Sequence, residues 1–161
     1  MSDLSKEIFN EKRLSLLLGY AYSFLGRKED AEDVVQDVMV RLLDRPIFMT
    51  FMRNPDAFLI RSVRNACIDF IRVRKIQTSD FSGLEAAGSP DSWSDHDMLR
   101  AAMAMLPEKQ RTVVYLKDIA GYPTEEIARM FSVSDNQVRT TLSRARKSLR
   151  DHIIKMQNYG M

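Results

Sequence analysis

The chain has one cysteine, Cys67, so no internal disulfide framework can staple it. Its two histidines, His96 and His152, stand far apart and cannot join that cysteine in a His/Cys metal site. Six glycines and five prolines are too few for a β-rich chain full of tight turns. No apolar run is long enough to cross a bilayer. The best stretch, 14–25, is broken by Ser15, Gly19, Tyr20, Tyr22 and Ser23. The first residues lack the basic and apolar regions of a secretory signal. No nucleophile–base pair, phosphate loop or metal cluster marks an enzyme, and no cofactor or metal is expected. Together these absences predict a soluble, non-catalytic protein of a reducing compartment with no membrane insertion.

What remains is helix material. Leu, Met, Ala, Arg and Glu abound, and all favour helices. The 161 residues are 45% hydrophobic and 29% charged, enough to fill one core or two small ones. Net charge is only +2, but its distribution is uneven. Residues 27–44 carry three basic and six acidic side chains, and 53–75 carry six basic and two acidic. Residues 76–97 hold five acids and no Lys or Arg, whereas 135–161 hold six basic and two acidic residues. Two separated basic blocks suit two contacts with a polyanion.

The stretch 77–97 is rich in Ser, Gly and acids, contains Trp93, and has no helical stripe. It cannot bury enough surface to offset the entropy of ordering, so it is predicted to be a flexible linker. The expected plan is all-α: a domain at 1–76, a linker at 77–97 and a domain at 98–161. In the first domain a helix is predicted over 7–25, ended by Gly26. A second begins near Asp30 with Val34, Val38 and Leu42 inward, and Pro46 stops it. A third starts at Pro55 and runs to about Lys75. Its inner stripe is Leu59, Val63, Ala66, Phe70 and Val73, and Arg61, Arg64, Arg72 and Lys75 lie roughly opposite, with Asn65 at the edge. Cys67 reads as a small core residue.

In the second domain helices are predicted over 98–106, 108–119 and 125–131. Ser132, Val133 and Ser134 form a turn, and a long basic helix follows from Asp135 to about Met156. Ser134 and Gln137 have the spacing of a capping box. Val138, Leu142, Ala145 and Leu149 make its inner face. Asn136, Thr140, Ser143 and Lys147 face away, flanked by Arg139 and Arg144. This is the pattern of a helix-turn-helix, whose second helix enters the major groove. Asp135, Asn136, Gln137, Arg139 and Thr140 are placed to reach base edges. Arg144, Arg146, Lys147 and Arg150 are placed to reach phosphates.

Five motifs in order resemble the extracytoplasmic-function (group 4) sigma factors of the sigma-70 family, over nearly the whole chain. Ala31, Glu32, Asp33, Val34, Val35, Gln36, Asp37 and Val38 resemble the region 2.2 helix. Asn54 to Lys75, with Ala57, Phe58 and Leu59 and then Arg64, Asn65, Ala66, Cys67, Ile68 and Asp69, resembles regions 2.3 and 2.4. Leu106, Pro107, Glu108 and Arg111 resemble the opening of region 4. Glu126, Ile127 and Ala128 resemble its first helix-turn-helix element, and Ser134, Val138, Arg144, Ala145 and Arg146 the second. Three positions depart from the family pattern: Phe58 stands where Trp is usual, Pro123 where a capping Ser is common, and Ser132 where Gly is frequent. If the last position needs positive φ, Ser carries a steric cost.

The resemblance implies a protein that directs core RNA polymerase to specific promoters and initiates transcription. Glu32, Asp33, Gln36, Asp37 and Arg41 would meet the β′ coiled coil, and region 4 the β flap. Arg53, Asn54, Asp56 and Phe58 would receive a flipped −10 base. Arg61, Arg64, Asn65, Arg72 and Lys75 would hold the non-template strand. Asp135, Asn136, Gln137, Arg139, Thr140, Ser143, Arg144 and Lys147 would read the −35 element. The resemblance further implies promoter DNA and an anti-sigma factor as partners, and a cytoplasmic location. The rival expectation is a helix-turn-helix regulator that binds promoter DNA without joining polymerase.

Overall fold

The structure, a computed structural model, describes residues 10–45, 54–77 and 94–159. The chain divides into two compact units, 1–79 and 80–161. Every regular element among the described residues is helical.

Three helices pack on one another in unit 1: α1 (Glu11–Leu25), α2 (Lys28–Leu43) and α3 (Pro55–Gln77). Asn10 starts α1 by accepting the Arg13 backbone N–H at 2.8 Å. Gly26 ends it at φ 72, and its N–H donates to the Tyr22 carbonyl at 2.9 Å. Leu17, Tyr20, Ala21, Phe24 and Leu25 point inward, with Tyr20 edge-on to Phe24 at 5.2 Å between ring centroids. From α2 come Ala31, Val34, Val35, Val38 and Leu42. From α3 come Ala57, Leu59, Ile60, Val63 and Cys67, the last four fully buried. Removing each large aliphatic side chain from water contributes about 1.5–3 kcal/mol, which is what holds three short helices together.

The inner face of α3 differs from the predicted stripe. Ile60 and Cys67 belong to it, whereas Val73 is 52% exposed and Ile76 80%. The predicted positions recur every 3.5 residues, and such a stripe drifts by about 20° per heptad on a straight helix. Val73, two heptads after Leu59, has turned off the core.

Unit 2 is built on a long helix. Its elements are α4 (Asp95–Ala104), α5 (Glu108–Val114), a π-helical turn (Tyr115–Ile119), α6 (Thr124–Phe131) and α7 (Asp135–Tyr159). α4, α5 and α6 each pack on α7. α4 begins three residues before Met98, inside the stretch expected to be linker. Ser94 explains the early start: it forms a reciprocal capping box with Asp97. The buried Arg111 joins α5 to the end of α4. Its guanidinium donates to the carbonyls of Met103 (3.0 Å), Ala104 (2.8 Å) and Leu106 (3.0 Å) at and just beyond the helix end, where Met103 also accepts the Leu106 backbone N–H at 3.1 Å.

The helix predicted over 108–119 changes pitch at Tyr115. The Ala120 N–H donates to the Tyr115 carbonyl at 2.9 Å, five residues back, and Gly121 at φ 81 turns the chain toward α6. Pro123 precedes α6 without a side-chain cap. Ser132 closes α6 at φ 54, ψ 46, the left-handed conformation that favours glycine. The Val133 N–H reaches back to the Ala128 carbonyl at 3.0 Å, a Schellman closure. On α7, Val138, Leu142, Ala145 and Leu149 are buried, the face predicted from their spacing.

Candidate nucleic-acid and partner interfaces

Burying Val34, Val38 and Leu42 turns the rest of α2 outward. Glu32, Asp33, Gln36, Asp37 and Arg41 are all exposed on it. Arg41 pairs with Asp37 at 2.7 Å, one helical turn earlier. That pair answers part of the local charge, and Glu32 and Asp33 stand exposed on the same helix. Val40, 56% exposed beside Arg41, adds an apolar spot that periodicity did not single out because it sits off the inner stripe.

At the start of α3, Asn54 is occupied locally: its Oδ1 accepts the Ala57 N–H at 3.1 Å. Asp56 is half-buried and held by Arg13 of α1, whose Nε donates to Oδ1 at 2.6 Å. The pair spans 43 residues and ties the first turn of α3 to α1. Phe58 is half-buried. Arg53 lies outside the described residues, as do residues 46–52 and 78–93, which include Trp93 and most of the stretch expected to be a linker.

Along α3 the cations separate by use, Arg74 being one that the sequence reading did not single out. Arg61, Asn65, Arg72 and Lys75 are exposed and Arg64 is half-buried. Arg72 lies 3.8 Å from Asp69 with both side chains mostly in solvent, a contact too loose to immobilise it. Arg74 serves the fold instead. It bonds to Asp30 at 3.0 Å and lies over the Phe70 ring at 5.5 Å, joining the end of α3 to the start of α2. A shallow cleft of about 230 Å³ runs between α2 and α3, lined by Val38, Arg41, Leu42, Ser62, Asn65, Ala66 and Asp69.

In unit 2 the face of α7 opposite its core is polar. Asn136, Gln137, Arg139, Thr140, Ser143, Arg144 and Lys147 are exposed and Asp135 is half-buried. The capping box forms as its spacing predicts. The Gln137 N–H donates to Ser134 Oγ at 3.1 Å, and the Ser134 N–H donates to Gln137 Oε1 at 2.9 Å. The cap thus uses the Gln137 carbonyl oxygen and leaves its Nε2 donor outside the capping box. Arg139 leans on Asn136 at 3.4 Å, which keeps both near the helix start.

Arg146 departs from the phosphate-contact role its spacing suggests. Nη2 donates to Asp118 Oδ1 at 2.6 Å and Nε to Asp118 Oδ2 at 3.0 Å, a bidentate fork onto the π turn. The hydrogen bond to Asp118 raises the guanidinium's pKa above its usual value. An open groove of about 510 Å³ beside the turn is lined by Glu125, Ala128, Arg129, Ser132, Val133 and Asp135.

Fold and exposed faces together define a DNA-binding protein of two helical modules, one three-helix body with an acidic and a basic helix and one helix-turn-helix body. Comparison with known proteins narrows this class. Residues 10–76 match the family described as Sigma-70 region 2, and residues 96–149 match Sigma-70, region 4. The chain is 31% identical to an RNA polymerase sigma-E factor of Streptomyces avermitilis over 93% of its own length and 86% of the relative's. It is 30% identical to the RNA polymerase sigma factor SigV of Bacillus subtilis, covering 84% of this chain and 82% of that one. Among solved structures, the sigma factor RpoE in complex with the anti-sigma factor NepR from Bartonella quintana aligns with a TM-score of 0.67. That alignment has 25% identity and covers 92% of this chain and 97% of that one. The chain belongs to the extracytoplasmic-function sigma factors of the sigma-70 family.

Proposed function

We propose that this chain directs core RNA polymerase to specific promoters and starts transcription there, with unit 1 serving polymerase and the −10 element and unit 2 the −35 element. The observation that carries the reading is in unit 1. One small three-helix body presents an acidic face on α2 and a cationic face on α3, so it can meet a basic protein surface and a nucleic-acid strand at once. A regulator that only binds duplex has no use for the first.

On this reading Glu32, Asp33, Gln36, Asp37 and Arg41 contact polymerase. Arg61, Arg64, Asn65, Arg72 and Lys75 hold the melted −10 strand mainly by its phosphates, which gives affinity more than sequence choice. Arg53, Asn54, Asp56 and Phe58 surround the flipped −10 base, with Asn54 and Asp56 acting through the helix start they stabilise. Asp135, Asn136, Gln137, Arg139, Thr140, Ser143, Arg144 and Lys147 address the −35 duplex. The chain supplies no bond chemistry; it positions DNA for the polymerase, and it works in the cytoplasm. Regulation by an anti-sigma factor is supported by the Bartonella quintana relative, which was crystallised with one.

The test is in vitro transcription with core polymerase on a genomic DNA library, followed by mapping of start sites. Initiation from a defined promoter set is expected; no initiation from any defined start would sink the reading. Weak duplex binding by the chain alone, strengthened by core polymerase, would separate it from a free-standing regulator.

A further inference from the structure

Among the described residues, Arg146 is the cation of α7 that is ion-paired, while Arg144, Lys147 and Arg150 extend from the same helix without an acidic partner. Its partner, Asp118, lies 28 residues earlier, in the π turn. Arg146 follows Arg139 by seven residues, so it shares that side of α7 two turns further on. Released from Asp118, it would reach the backbone flanking whatever groove receives Asn136 and Arg139. Held by a carboxylate through two short bonds, it presents a neutral pair there instead. The pair is solvent-facing, with the two side chains 48% and 36% exposed, so it adds little to stability and can be dissected without unfolding the unit.

We propose that Asp118 withholds Arg146 from DNA phosphates and thereby limits how tightly the α7 face binds duplex DNA. The inference rests on the reading of unit 2 as a DNA-binding module. Its physical sense is one of competition: a phosphate gains Arg146 only by displacing a bidentate carboxylate, and that carboxylate then stands close enough to repel it. Asp118 would thus be an affinity-setting residue that touches no DNA.

The test uses the full chain and a B-form duplex of arbitrary sequence, with binding followed by fluorescence anisotropy over a range of salt concentrations. Each phosphate neutralised on B-DNA contributes about −0.9 to the slope of log K against log salt. Asp118→Asn should steepen the slope by about 0.9 and tighten binding about fivefold to tenfold at 0.1 M salt. Arg146→Ala should leave the parent slope unchanged, and Asp118→Asn with Arg146→Ala should restore it. A purely structural clamp would not move the slope. An unchanged slope in Asp118→Asn overturns the proposal. So does an Arg146→Ala slope shallower by about 0.9, because Arg146 would then already be on the phosphates; this second arm stands even if Asp118→Asn fails to fold. If the parent chain binds no duplex at any salt, the DNA-binding reading of unit 2 falls first, a result distinct from either slope.

Discussion

Two side chains of unit 2 show how burial converts chemistry into stability. The Tyr115 phenol is buried in unit 2, and desolvation pushes its pKa from 10.0 up to about 12. The unfolded chain therefore releases this proton about two pH units before the folded one. Below pH 10 both states hold it and stability is unaffected. Between pH 10 and 12 the unfolded state binds fewer protons, so stability falls as pH rises, by on the order of 2 kcal/mol. Urea denaturation from pH 9 to 12 should show this extra decline in the parent and not in Tyr115→Phe; parallel curves would refute it. Arg111 is the second case. Its three carbonyl contacts close the end of α4 inside the unit. Arg111→Ala would remove a charged donor from the Ala104 and Leu106 carbonyls, while Met103 keeps its backbone donor, and is expected to cost about 2–3 kcal/mol. Arg111→Lys should recover only part, because an ammonium cannot fork across three oxygens as a guanidinium does. Midpoints in urea measure both.

On the proposed reading, α7 places two demands on one residue. Gln137 closes the capping box with its carbonyl oxygen and leaves its amide nitrogen facing outward. Gln137→Glu keeps the acceptor and suits the helix N-terminus, but it removes the donor and adds negative charge where DNA would lie. It should preserve the thermal midpoint while altering −35 preference. Gln137→Ala should lose about 1 kcal/mol of stability and also shift that preference, with −10 preference unchanged. Selection from a randomised promoter library reads both elements; an unaltered −35 profile in both variants would remove Gln137 from base readout. The capping box was legible because it is local, three residues within one turn. For Ser132 the resemblance left the backbone conformation open, and the structure decides it: φ is 54, so Ser stands in the left-handed region there. The π turn was not legible: Tyr115 to Ile119 continue the α-helical pattern of residues 108–114, and only packing in unit 2 widens that turn.

Across the whole molecule, division of labour is the testable property. Arg64→Ala with Arg72→Ala should leave binding to core polymerase intact and impair open-complex formation, because α2 keeps its acidic face while α3 loses two of the cations proposed to hold the strand. Filter binding of core enzyme and permanganate footprinting of the melted region separate the two steps. Equal loss of both would refute the assignment. Arg13 enters the same account from outside the predicted set. By holding Asp56 it ties the first turn of α3 to α1, and nothing in its own neighbourhood in sequence marks it.

Local and periodic features were readable from the sequence: the two helical modules, the turn before Asp135, the buried faces of α2 and α7, and the burial of Cys67. Each follows from residues within a few turns of one another, where helical geometry alone decides which side meets water. The pairings of Arg13 with Asp56, Arg74 with Asp30, Arg146 with Asp118, and Arg111 with the end of α4 were decided by the tertiary structure. A charged residue's spacing says that it faces outward or flanks a core; it does not say which distant group waits there. Val73 was misplaced for another reason: a 3.5-residue spacing drifts on a straight helix, and two heptads after Leu59 it has left the core face. Whether a cation serves the fold or is left for a ligand is settled only when the chain closes on itself.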